Sequence, residues 1–146
     1  RANPMRVTLD GKSIDVVLGS YGLYVDPEGN LMSAANAAAP TGASLAWDFV
    51  ADEPGLVRVR AQVTGAMMDL SDIDPAFLSA RGLPTSGPIT AETRLVLVSE
   101  QVADNRYRLS LPLSSTARTG ATIDFAVTAV TGAATKDLPP LTGRVN

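Results

Sequence analysis

Neither cysteine nor histidine occurs in the 146-residue chain. Without cysteine there is no disulfide to staple the fold and no thiolate for nucleophilic chemistry or soft metals. Without histidine the usual acid/base near neutral pH and the commonest metal ligand are both missing. Together these absences exclude Ser-His-Asp and Cys-His catalysis and the common zinc and copper sites. Lysine is nearly absent as well: Lys12 and Lys136 stand against ten arginines, and the net charge is −3. Such a balance exerts no general pull on nucleic acid or anionic lipid. No apolar run approaches the ~20 residues of a membrane span. The first residue is Arg1 and not Met, which leads one to expect a processed or trimmed product from which an export signal could have been removed.

What the chain does contain is alternation. Apolar residues at every second position mark a strand with one buried face. Val7 and Leu9, then Asp10-Gly11, then Ile14, Val16 and Leu18 read as a hairpin, because glycine enters a tight turn without steric cost. A third short strand is expected through Tyr21, Leu23 and Val25. Residues 31–44 read as an ordered connection, since Pro40 and Gly42 stop any helix in the alanine run. From Leu45 the pattern sharpens. Leu45, Trp47 and Phe49 point one way, and Val57, Val59, Ala61 and Val63 alternate with Arg58, Arg60, Gln62 and Thr64. Further strands are predicted at 94–100, 107–113 and 122–130, the first two joined as a hairpin. The exception is 65–93, which does not alternate. There Asp74, Pro75 and Gly82 have the positions of an N-cap, a first helical residue and a stop, so one short helix is expected at 75–81 inside a long loop.

The segment 120–132 (GATIDFAVTAVTG) resembles the sixth strand of fibronectin type III domains. Residues 44–47 (SLAW), ahead of the strand at 56–64, are similar to that family's second and third strands with their core tryptophan. The tail Leu138-Pro139-Pro140-Leu141 resembles a last strand interrupted by proline, which is tolerated at an edge or a bulge. Ile123 stands where the family has an aromatic, so the tyrosine-corner hydrogen bond is missing. The resemblance implies an immunoglobulin- or fibronectin-type β-sandwich. The expected fold class is therefore an all-β antiparallel sandwich, one domain over 1–146. It has an N-terminal hairpin arm at 1–30, a connection at 31–44 and the sandwich core at 45–146.

Candidate sites are few. Asp69, Asp72 and Asp74 are the only carboxylate cluster and the only candidates for calcium. Their spacing lacks the glycine and closing glutamate of a calcium loop, and capping accounts for Asp72 and Asp74, so no metal and no cofactor is assigned. Arg58, Arg60, Arg106 and Arg108 lie on the outward faces of two strands, either a solvated face or, if those strands are neighbours, a basic stripe able to grip carboxylate or phosphate. Trp47 falls in the core by its alternation. Tyr21 and Tyr24 fall on opposite sides of a strand, so one is exposed as a candidate interface anchor. Met67-Met68 reads as a contact patch or a loop anchor. No serine is placed beside a base and no carboxylate pair spans a cleft, so no enzymatic activity is expected. The expected function is a structural or interaction module of an extracytoplasmic bacterial assembly or a phage particle (cell surface, secreted or virion). Its partner would be protein, either itself in a homo-oligomer or a larger assembly, with no nucleic acid and no direct membrane insertion. The alternative is a carbohydrate-binding accessory module using the 65–93 loop and an exposed aromatic.

Overall fold

A computed structural model describes residues 4–9, 12–17, 35–51, 56–104, 106–131 and 134–146. The strands are β1 (Pro4–Leu9), β2 (Lys12–Val17), β3 (Ala35–Ala39), β4 (Ser44–Ala51), β5 (Leu56–Ala66), β6 (Val96–Val98), β7 (Glu100–Ala103), β8 (Arg106–Pro112), β9 (Thr122–Thr131) and β10 (Thr135–Val145), with one helix, α1 (Pro75–Ala80). They form two sheets, in the orders β1-β2-β4-β8-β7 and β3-β10-β9-β5-β6. The fold class is an all-β sandwich, antiparallel apart from the β3–β10 pair.

Alternation explains the core. Leu45, Trp47 and Phe49 of β4 and Leu109 and Leu111 of β8 face Val59 and Ala61 of β5 and Ile123, Phe125 and Val127 of β9, all buried. Trp47 meets Phe125 across the layers edge to face, with ring centroids 5.8 Å apart. Gly143 of β10 lies where the facing sheet comes close. A Cβ there would stand 2.6 Å from Leu45 Cδ1 and 3.4 Å from both Ile123 Cγ2 and Trp47 Cη2. We expect Gly143→Ala to destabilise by about 1–3 kcal/mol through overpacking, read as a lower urea midpoint with an unchanged m-value.

The first hairpin forms, with Leu9 opposite Lys12, while Asp10 and Gly11 lie outside the described residues. It joins its own chain's sheet, where Ile14, Asp15 and Val16 pair with Ala51, Val50 and Phe49. The strand predicted through Tyr21, Leu23 and Val25 lies outside the described residues.

Three expectations change. Residues 31–44 are not merely a connection, because β3 runs parallel to β10, from Ala35 beside Leu141 to Ala39 beside Val145. Alanine fits both faces of a strand, so the run carries no alternation to read, although Ala37 and Ala39 are buried. The proline-bearing tail is an edge only in part: β3 covers Leu141–Val145 of β10, and among the described residues Pro139 and Pro140 lie beyond that pairing, beside β9 alone. The register with β9 also shifts between Leu138 and Leu141, and that bulge accommodates Pro139 and Pro140. Finally, 94–100 is not one strand in a hairpin with 107–113. It divides at Ser99: β6 pairs with β5 in one sheet, β7 with β8 in the other. Ser99 N donates to Val59 O (2.9 Å) and Val59 N donates to Ser99 Oγ (2.8 Å). The hydroxyl thus accepts where a regular ladder would use the carbonyl.

The long loop closes the end of the sandwich where β4 starts and β8 ends. Met68, Leu70, Ile73, Leu78 and Ile89 drop into the common core. Main-chain bonds from Asp74 N to Pro112 O and from Ser114 N to Asp72 O fasten it. The helix starts as the sequence indicates, with Ala76 N donating to Asp74 Oδ1 (3.1 Å) and Pro75 in the first turn. Gly82, at φ +70°, follows it.

Candidate functional site

The helix, the β6–β7 crossing and the outer face of β4 and β8 enclose a cleft of about 220 Å³. Its walls are Phe77 and Arg81 from α1, Leu97, Val98 and Glu100 from the crossing, and Ser44, Arg108, Ser110 and Pro112 from the sheet. Phe77 and Arg81 are four residues apart, which places both on one helical face. The Arg81 guanidinium lies 3.6 Å from the centroid of the Phe77 ring, and its Nη1 donates to Phe77 O (3.0 Å). That cation–π contact and hydrogen bond hold the arginine in one orientation at the rim. No carboxylate is paired with it among the described residues. Arg108 is held differently: Nε donates to Asp48 Oδ1 at 2.7 Å and Nη2 to Asp48 Oδ2 at 3.1 Å.

The cleft opens beside the bare side of the crossing. All four residues of β7 are exposed, and Val98 and Val102 are the two exposed large apolar residues there, at 53% and 41%. Both β6 and β7 are outermost in their sheets. Such short edges leave main-chain donors and acceptors without a strand neighbour among the described residues.

The carboxylate cluster is structural. Asp69 Oδ2 accepts from Ser71 N, Ser71 Oγ and Gly87 N, and so ties two ends of the loop. The Asp69 carboxyl lies below its ordinary value chiefly through the Ser71 hydroxyl and main-chain bonds. Asp72 is 1% exposed. Its Oδ2 accepts from Asp69 N (2.8 Å) and Arg118 Nη2 (2.9 Å), and its Oδ1 from Arg118 N (2.9 Å) and Arg118 Nε (3.2 Å). Burial pushes its carboxyl up, but the Arg118 side chain and the two main-chain donors outweigh burial and hold it below the ordinary value. Asp74 caps α1. These roles account for the three residues without an ion.

Arg58 and Arg60 are not brought together with Arg108. Arg58 and Arg60 are exposed on β5 and Arg108 is exposed on β8, with β5 and β8 in different sheets. Their outward faces lie on opposite sides of the sandwich, so no common stripe forms. The Arg106 side chain, Tyr21 and Tyr24 lie outside what is described. Trp47 is in the core and Met68 anchors the loop, whereas Met67 is 79% exposed.

Sequence reasoning missed Arg81, Phe77, Val98, Ser44 and Ser110. A signal was present for two of them: the helix read at 75–81 already set Phe77 and Arg81 on one face. Nothing local to the other three indicated the cleft. Comparison with family models, curated proteins and solved structures returned no match.

Proposed function

We propose that this domain is a non-enzymatic interaction module that docks through the open corner formed by β6 and β7. The observation that carries the reading is the pair of outermost strands bearing exposed Val98 and Val102 beside a cleft. An exposed sheet edge recruits a neighbouring strand through main-chain hydrogen bonds, and apolar side chains give the added strand something to cover. Protective features are sparse at this corner. Neither β6 nor β7 contains lysine or proline, and the one charge on them is Glu100.

The immunoglobulin-type reading of the fold has support in the strand order. Taking β4, β5, β7, β8, β9 and β10 as the second to seventh strands of that plan, with β7 and β8 as the fourth and fifth, pairs second with fifth and fifth with fourth. The third, sixth and seventh strands then lie side by side in the other sheet. Domains of that plan are commonly adhesive or structural. This agrees with the reading as a component of an extracytoplasmic bacterial assembly or phage particle, with protein as the partner. The carbohydrate alternative depends on Tyr21 and Tyr24 and gains no observation of its own here.

Light scattering on the full chain across a wide concentration range tests the proposal. We expect an assembled species that becomes monomeric in Val98→Lys/Val102→Lys, because two charges on the outermost strands oppose strand addition. A chain that stays monomeric at millimolar concentration and captures no protein partner would sink it.

A further inference from the structure

We infer that the corner cleft is a carboxylate-binding notch that receives the free C-terminus of an extended peptide. This rests on the docking reading above and identifies what one part of the docking surface recognises.

The argument begins with strand parity. Leu113 N donates to Ala43 O across the β4–β8 pair, so Leu111 and Leu109 also direct their main-chain groups toward β4. The intervening residues, Arg108, Ser110 and Pro112, direct theirs away from it. On that side Arg108 pairs with Glu100 of β7, and Pro112 O accepts from Asp74 N (3.0 Å). Between these two fixed points the ladder has a gap. The chain crosses from the other sheet at Ser99, so among the described residues Ser110 has no strand partner on that side. Its main-chain groups turn toward the cleft that Ser110 itself lines.

The remaining walls supply a matching set. Arg81 brings a planar guanidinium fixed over Phe77, without a carboxylate partner among the described residues. Guanidinium and carboxylate meet in a bidentate geometry that a point charge does not reproduce. The Ser44 and Ser110 hydroxyls and the Ser110 N–H are further donors. Leu97, Val98 and Phe77 give apolar wall for the last side chain of the peptide. A terminal carboxylate is favoured over an internal one because the notch is one residue wide, bounded by the Arg108–Glu100 pair on one side and the Asp74–Pro112 bond on the other. A chain that enters from the open corner has no room to continue and therefore ends there. Glu100 lies in the same wall and repels the incoming charge. It is the residue that limits affinity.

The experiment titrates the full chain, labelled for NMR, with a pool of tetrapeptides randomised at every position. One pool carries free C-terminal carboxylates and the other is amidated. The expected result is a shift of the Ser110 and Val98 amides and the Arg81 Nε–H with the carboxylate pool only. Binding should fall about tenfold in Arg81→Lys, which keeps the charge but loses the fork. In Glu100→Gln it should tighten about threefold. Equal shifts with both pools, no shift with either, or an Arg81→Lys chain that binds as wild type would each overturn the inference. Light scattering on Arg81→Lys separates this from the docking reading. An assembly that survives the substitution, alongside a failed titration, removes the notch and leaves edge docking standing. Loss of assembly only in Val98→Lys/Val102→Lys is the mark of the edge itself.

Discussion

Replacing Asp72 with alanine is expected to cost about 2–4 kcal/mol of stability at pH 7, although this residue does not line the cleft. Its carboxylate accepts four hydrogen bonds from Asp69 N and from Arg118 N, Nε and Nη2. Truncation leaves two main-chain donors unsatisfied, each costing about 1–3 kcal/mol where water cannot replace the partner. The ion pair adds less than a fully buried one would, because the Arg118 side chain is 63% exposed. The same carboxylate makes stability depend on pH. Its folded pKa lies below the ordinary value, so the unfolded chain binds the proton more readily. The contribution is fully present above about pH 4 and is lost as pH falls through the depressed folded value. Asp69, also lowered, acts in the same direction. Urea unfolding at pH 7 and pH 3 should show wild type losing more stability across that interval than Asp72→Asn. Parallel losses in the two proteins would show that Asp72 is not the group responsible.

The second large effect concerns Trp47. It is fully buried, packs edge to face on Phe125 and reaches the Gly143 backbone of the opposite sheet. Trp47→Ala should cost about 3–5 kcal/mol, the transfer term plus the cavity left between layers that cannot close. Trp47→Phe should cost less than half of that. The indole Nε1 has no hydrogen-bond partner among the described residues, so removing it forfeits no bond and relieves an unsatisfied donor. Because Trp47 is the sole tryptophan, emission from a buried indole reports the wild-type transition directly. The two variants require circular dichroism. A Trp47→Phe chain as unstable as Trp47→Ala would mean that the N–H is satisfied after all.

Both residues show how far local pattern carries. Trp47 was legible because Leu45, Trp47 and Phe49 alternate with polar or small neighbours, and burial on one face follows from period 2. The role of Asp72 was half legible. Its place in a turn beside a helix cap could be read, but its pairing with Arg118 joins loops 46 residues apart, and no local signal records such a distance. Arg81 and Phe77 were reachable through the helix that carries them. Ser110 was not, because an open place in a ladder depends on where another strand leaves.

By itself the sequence determined which side chains are lacking (cysteine and histidine), the strands at 56–64, 107–113 and 122–130, the first hairpin and the capped helix. Each follows from residues within one or two turns of chain, where side-chain period and turn conformation set the outcome. The tertiary structure decided the rest. It made an alanine run into β3 because β10 offered a parallel edge, and it seated Pro139 and Pro140 in a bulge. It divided 94–100 between two sheets at Ser99 and placed Arg58 and Arg60 on the opposite side from Arg108. Those outcomes rest on pairings between distant segments, whose free energy depends on register and on which edge remains open, and neither quantity is written in a local window of sequence.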